Sequence, residues 1–152
     1  MEIRTATIHD VDKVIELSSQ LCINEHEYYD NTVDIHFAQN NHKFFKDCIS
    51  NEDFLTLVAV IEDNIVGFLI GSISETEEYR NFDKIAEIFS MLVNPEIRSQ
   101  GIGNKLVKHF LQWSKDRVKR AKVVVSAPNK RGIEFYRKAG FIEHEIVLER
   151  NL

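Results

Sequence analysis

Cysteine is scarce in this chain, with two in 152 residues. Cys22 and Cys48 lie far apart, lack a Cys-x-x-Cys spacing, and each falls on an apolar face of helical period, so both read as ordinary buried cysteines rather than catalytic or metal-binding thiols. The six histidines, His9, His26, His36, His42, His109 and His144, never form His-Glu-x-x-His or another short ligand spacing, and no metal is expected. Long apolar runs are missing too. Leu57–Ile61 and Ile65–Ile70 are separated by Glu62, Asp63 and Asn64, far short of the roughly 20 apolar residues of a membrane-spanning helix. The opening Met1-Glu2-Ile3-Arg4-Thr5-Ala6 alternates polar and apolar residues without a basic leader or apolar core, so a soluble, cytoplasmic protein is expected. Positive charge is in deficit: 19 Lys and Arg against 24 Asp and Glu give a net charge of −5. That balance argues against a general nucleic-acid binder, whose footprint is a basic excess.

What is present suits one globular domain over residues 1–152: 43% apolar and 28% charged residues, without internal repeats or low-complexity linkers. Glu2–Ala6 reads as a strand. Thr7-Ile8-His9-Asp10 has capping-box spacing before an apolar period at Val11, Val14, Ile15, Ser18 and Leu21, which predicts a helix. Residues 24–34 read as a polar, aromatic loop, and Phe37, Phe44, Phe45, Cys48 and Ile49 resume helical spacing. Phe54–Ile61 and Ile65–Ser72 predict a hairpin around Glu62-Asp63-Asn64. Ile85–Val93, apolar on both faces, reads as a central strand stopped by Asn94-Pro95. A helix over Gly101–Arg120, a buried strand over Lys122–Val125, a helix over Gly132–Lys138 closed by Gly140, and a last strand complete the order β-α-α-β-β-β-α-β-α-β. The fold class is therefore α/β, a mixed sheet with helices packed on it.

The junction between the central strand and the next helix, Arg98-Ser99-Gln100-Gly101-Ile102-Gly103-Asn104, carries the chemistry. Unpaired helix N-terminal amides, and glycines without Cβ atoms, allow a phosphate to approach closely. Gly-x-Gly alone is a weak signal. The third glycine of a dinucleotide fold and the Gly-Lys-Ser/Thr of a P-loop are both missing. Arg98-Ser99-Gln100-Gly101-Ile102-Gly103 resembles the Arg/Gln-x-x-Gly-x-Gly/Ala motif of the GNAT superfamily of N-acetyltransferases. Downstream, Asn129, Gly132, Phe135-Tyr136 and Ala139-Gly140-Phe141 are similar to that family's Asn-x-x-Ala-x-x-Phe-Tyr-x-x-x-Gly-Phe segment, with Gly132 where alanine is usual.

The resemblance implies a GNAT fold and acetyl transfer from acetyl-CoA, as co-substrate, to an amine by direct transfer. It implies that Met91, Leu92 and Val93 pair with the pantetheine arm, that amides of Ser99–Asn104 hold the pyrophosphate, and that Asn129 holds the pantetheine from the far side. A backbone N–H at Leu92 would meet the oxyanion, Tyr136 would be the general acid, and Glu87 the base, on a strand face shared with Phe89, Met91 and Val93. A surface or ion-paired carboxylate is the alternative for Glu87. The basic run Lys115, Arg117, Lys119, Arg120 and Lys122, with Lys130 and Arg131, is either a solvated helix face or a seat for the adenosine 3′-phosphate.

Glu25, Glu27, Asp30 and Asp34 around Tyr28 and Tyr29, with Glu75, Glu77 and Glu78, would suit a cationic small molecule or peptide amine, or simply solubilise a loop. The segment after Gly140 is short for the two-strand hairpin that the resemblance implies, so one acceptor wall is either missing or supplied by a second subunit, and a homodimer is expected. Neither a nucleic acid nor a membrane is expected as partner. The competing function is a GNAT-like module that binds acyl-CoA or a regulatory partner without turnover.

Overall fold

The computed structural model describes residues 1–98 and 100–152. Its strands are β1 (Glu2–Thr5), β2 (Phe54–Ile61), β3 (Asn64–Glu75), β4 (Lys84–Val93) and β5 (Ala121–Val123); its helices are α1 (Val11–Tyr28), α2 (Phe37–Asn40), α3 (His42–Ser50), α4 (Ile102–Ser114) and α5 (Lys130–Lys138). The sheet runs β1-β2-β3-β4-β5, antiparallel except for the parallel β4–β5 pair. Period-2 alternation splits the core. Phe68 and Ile70 of β3 pack with Val14, Leu17, Ala38, Phe45 and Cys48 on the α1–α3 side. Leu69 and Ile73 pack with Ile102, Leu106, Val107 and Phe110 on the α4 side.

Local chemistry sets several boundaries. The Asp10 carboxylate accepts the Thr7 amide at 2.7 Å and the Thr7 hydroxyl at 3.0 Å, and takes Arg4 through two bonds of 2.8 and 3.0 Å. It therefore ties the end of β1 to the start of α1, and Arg4 holds it well below the usual carboxylate range. Between β2 and β3 the turn is two residues, Glu62 and Asp63, both at positive φ, with Asn64 already paired to Ile61. This is the backbone a tight hairpin of right-handed twist requires. Gly71 faces Phe110 so closely that a Cβ would lie 2.1 Å from the ring, which lets α4 sit directly on β3.

Other expectations need correction. α1 runs on to Tyr28, because Leu21, Asn24 and Glu25 continue its inward stripe past the point where polarity suggested a loop. The second helix is two pieces, divided at Asn41, whose side chain bonds back to the Phe37 carbonyl at 2.7 Å. α4 stops at Ser114, and β5 is three residues rather than a buried strand reaching Val125; Val124 is 77% exposed. β4 is interior, paired with β3 and β5 as expected of a central strand, but its apolar residues are not all covered, since Phe89 is half exposed. Among the described residues the last strand is not formed, and 141–152 run without a ladder partner. That segment is held through ion pairs of Arg80 with Glu145 and of Arg137 with Glu143. Among the described residues no helix is long and apolar enough to cross a membrane.

Candidate active site

β4 and β5 pair only over Ala86–Ile88 and Ala121–Val123. The register of β4 on β3 slips immediately afterwards: Gly71 opposes Ile88 and Ile70 opposes Ser90, so Phe89 is an extra residue. A bulge of this kind bends a strand and strengthens its twist, and the two strands diverge from here. The resulting cleft, about 1160 Å³, is walled by Ile88–Val93 on one side and Val123–Ser126 on the other. α4 opens into it at Gly101–Asn104, α5 contributes Tyr136, and the end of α1 contributes Glu25, Tyr28 and Tyr29.

Backbone direction along β4 follows from one bond. The Asn94 amide donates to the Val66 carbonyl at 2.8 Å, and the register is unbroken back to Ser90. Alternate residues of an antiparallel strand turn both polar groups to the same neighbour, so Asn94, Leu92 and Ser90 face β3. Met91 and Val93 therefore present their backbone groups to the cleft. The Val93 carbonyl accepts Arg98 Nε at 3.0 Å on that open side. The Leu92 amide, expected to meet the oxyanion, thus faces β3 rather than the cleft, and Leu92 turns its side chain into the core with Phe68.

The same bulge reverses side-chain parity. Glu87 shares its face with its partner Ser72 and with Phe89, which packs on Phe44 at 5.6 Å, whereas Met91 and Val93 lie on the α4 side. The shared face expected for Glu87, Met91 and Val93 does not exist. Glu87 is outside the cleft lining, and its carboxylate pairs with Lys122 Nζ at 3.2 Å.

At the glycine loop, Gly101 sits at φ +77° and starts α4. The first helical bond there runs from the Lys105 amide to the Gly101 carbonyl at 3.1 Å, leaving the Ile102, Gly103 and Asn104 amides without a helical acceptor. A Cβ on Gly103 would stand 3.2 Å from the Phe135 ring, so this glycine also lets α4 and α5 approach. Arg98 and Arg131 line the cleft beside the loop. Burial, and then repulsion from Arg131, lower the Arg98 pKa, the electrostatic condition an anion would relieve. Gln100 is exposed and outside the lining, and Ser99 lies outside the described residues. Asn129 caps α5, its Oδ1 accepting the Gly132 amide at 2.8 Å. A Cβ on Gly132 would meet the Asn129 side chain at 2.8 Å, so the glycine found in place of alanine makes room for this cap.

Tyr136 packs edge-on between Phe135 at 5.0 Å and Phe141 at 5.6 Å. Burial and then the Glu25 charge raise its pKa, keeping the phenol protonated. Ser126, which nothing in the sequence pattern singled out, donates to Glu25 Oε2 at 3.3 Å across the mouth of the cleft. Several other candidate charges are engaged elsewhere. Asp30 binds the Thr32 amide and hydroxyl, Asp34 accepts the His36 amide, Arg117 stacks on Trp113 at 4.4 Å, and Arg120 lies over Phe82. Glu77 pairs with Arg80 at 3.2 Å. Cys48 is buried, which pushes its thiol up to about 12, and half-buried Cys22 is also raised by burial.

The model of the acetyltransferase (GNAT) family matches residues 18–141. Similar proteins include an uncharacterised N-acetyltransferase of Methanocaldococcus jannaschii, 31% identical over 107 residues, 68% of this chain and 46% of that protein. The chain thus spans about half the length of that relative. An uncharacterised N-acetyltransferase of Archaeoglobus fulgidus is 29% identical over 140 residues, 90% of this chain and 89% of its own. Among solved structures, a predicted acetyltransferase of Clostridium acetobutylicum with acetyl-CoA shares the fold with a TM-score of 0.80 at 19% identity, covering 99% of this chain and 95% of that one.

Proposed function

The chain belongs to the GNAT acetyltransferase family, and from that premise we propose that residues 1–152 act as one N-acetyltransferase domain, transferring acetyl directly from acetyl-CoA to a primary amine in a ternary complex. The observation that carries this reading is the split between β4 and β5, with Met91 and Val93 turning their backbone groups to one wall, only the Val93 carbonyl among them being engaged, by Arg98, and the open N-terminus of α4 at its end. A pantetheine arm extends along that wall like a partial strand. The pyrophosphate lies on the Ile102, Gly103 and Asn104 amides, with Arg98 and Arg131 alongside. On the far wall Asn129, whose Oδ1 is used by the cap, offers its Nδ2 group to the arm.

Acyl transfer of this kind needs a neutral amine, a donor for the developing oxyanion and a proton for the thiolate. The Met91 N–H is the oxyanion donor in place of Leu92, because the strand aims it into the cleft. Tyr136 supplies the proton. The amine enters between Glu25, Tyr28 and Tyr29, a carboxylate with aromatic neighbours that suits a cationic small molecule or peptide amine. Calorimetric titration of acetyl-CoA is the test. One-site binding is expected, weakened at least about tenfold, or about 1.4 kcal/mol, by Gly101→Val or Gly103→Leu. A folded protein that does not bind acetyl-CoA makes the glycine loop structural and favours the interaction-module reading.

The segment after Gly140 supports the homodimer. Ile142, Ile146, Val147 and Leu148 are 78–90% exposed, an apolar surface that a second copy would cover. Sedimentation is expected to give a dimer, and a monomer at working concentration would remove this part of the reading.

A further inference from the structure

We infer that Glu25 is the general base of the transfer, taking a proton from the acceptor's ammonium group at the mouth of the cleft. This rests on the acetyltransferase reading above and assigns the role that Glu87 is not placed to fill. Glu25 lies on the last turn of α1 and lines the same cleft as Met91, Val93 and Tyr136. Ser126, 101 residues away on the opposite wall, donates to its Oε2 at 3.3 Å and aims the carboxylate across the opening. One oxygen is thereby oriented while the other is left for an incoming amine. Tyr136 lines the same cleft, and the Glu25 charge helps to raise its pKa, so acid and base flank a common volume. Glu87 has neither feature, being ion-paired with Lys122 outside the lining.

The electrostatics agree. Burial is the largest influence on Glu25 and raises its pKa; the Ser126 bond lowers it, and the Asp30 charge raises it. From α5, Tyr136 faces it as a neutral phenol, and from the far wall Ser126 faces it uncharged. Arg98 and Arg131 stand toward the glycine loop and do not contribute to its shift. No histidine lines the cleft among the described residues, and the other carboxylate of the lining, Glu134, is ion-paired with Arg137 at 2.5 Å, so Glu25 is the group left to take the acceptor's proton.

The proton balance closes. Glu25 takes one proton from R–NH3⁺, and the freed lone pair forms the C–N bond at the thioester carbonyl carbon. As the tetrahedral intermediate collapses, the C–S bond breaks and the thiolate takes the Tyr136 proton. The surplus proton on the new ammonium nitrogen restores the phenol, and Glu25 releases its proton to solvent. Amide, thiol and one proton leave.

The test is the pH profile of initial rates, by thiol release, for the wild type, Glu25→Gln and Ser126→Ala, with spermidine, kanamycin and a short peptide with a free N-terminus as acceptors. Glu25→Gln is expected to lose about 100-fold in kcat at neutral pH. Its acid limb in kcat/KM should move from that of Glu25 to the amine's own pKa, so that its deficit closes as pH rises toward that value, while acetyl-CoA affinity is unchanged. Because the Ser126 bond favours the charged carboxylate, Ser126→Ala should move the acid limb to higher pH. A merely structural glutamate would produce neither shift. Glu25→Gln that keeps the acid limb and stays within about threefold of the wild-type rate overturns the assignment and leaves the transferase reading standing. A wild type that binds acetyl-CoA but turns over none of the three amines overturns both.

Discussion

Tyr136→Phe is expected to lower kcat by about 100-fold, within the range that positioned general acids contribute, while acetyl-CoA affinity and thermal stability stay near wild type. The substitution removes one oxygen and keeps the ring between Phe135 and Phe141. On the proposed reading the cofactor is held by the β4 edge and the α4 N-terminus, which the substitution does not touch. The thiolate is the better leaving group when a proton is delivered as the C–S bond lengthens, and without the phenol that proton must come from water. The direction of the Tyr136 shift adds a second prediction from the same side chain. An acid must be protonated to act, and burial raises this phenol above its ordinary value of 10.0, so no alkaline limb belonging to it should appear between pH 7 and 10. Rates within about threefold of wild type in the phenylalanine variant would remove Tyr136 from the mechanism. Lost acetyl-CoA affinity would make it a binding residue instead.

Gly71→Ala is expected to cost about 3 kcal/mol, the upper part of the usual range for overpacking, and to lower the melting temperature by about 6–12 °C for a chain of this length. The added methyl would lie 2.1 and 2.6 Å from two ring carbons of Phe110 and 3.0 Å from the Glu87 carbonyl. Phe110 is fully buried and cannot swing to solvent. The strand cannot retreat either, because Gly71 is hydrogen-bonded between β2 and β4 beside the Phe89 bulge. Relief must come from α4 lifting off the sheet, which would also displace the glycine loop and weaken acetyl-CoA. The double variant Gly71→Ala with Phe110→Leu separates this account from a general intolerance of the site. Space made at Phe110 should return at least about 1 kcal/mol of coupling, as contacting residues do in a double-mutant cycle. Additive losses would show that the ring is not the obstacle.

Much of the fold was legible because its signals are local. The β-branched and aromatic runs Phe54–Ile61 and Ile65–Ser72, the turn residues between β2 and β3, the stop at Asn94-Pro95 and the stripe Ile102, Leu106, Phe110 each depend on neighbours within a few positions. The glycine loop and the Asn129, Phe135-Tyr136 segment were legible for the same reason. What misled was long-range. The polarity of residues 24–28 suggested a loop, yet that stretch is the end of α1, and its Leu21, Asn24 and Glu25 turn toward the cleft. Simple alternation placed Glu87 with Met91 and Val93, and one inserted residue at Phe89 undid it. Ser126 had no pattern to mark it, since its partner lies 101 positions earlier.

By itself the sequence determined the family, the α/β class, the glycine-opened helix start and the phenol in the segment that follows, because each is encoded in residue type at short spacing. Only the tertiary structure decided which β4 amides reach the cleft, which face Glu87 occupies, and which carboxylate stands near Tyr136. Backbone direction in a strand is set by pairing with its neighbour, and a bulge reverses side-chain parity without any local signature. The approach of α1 to the β5–α5 connection is decided by how two helical layers settle on one twisted sheet.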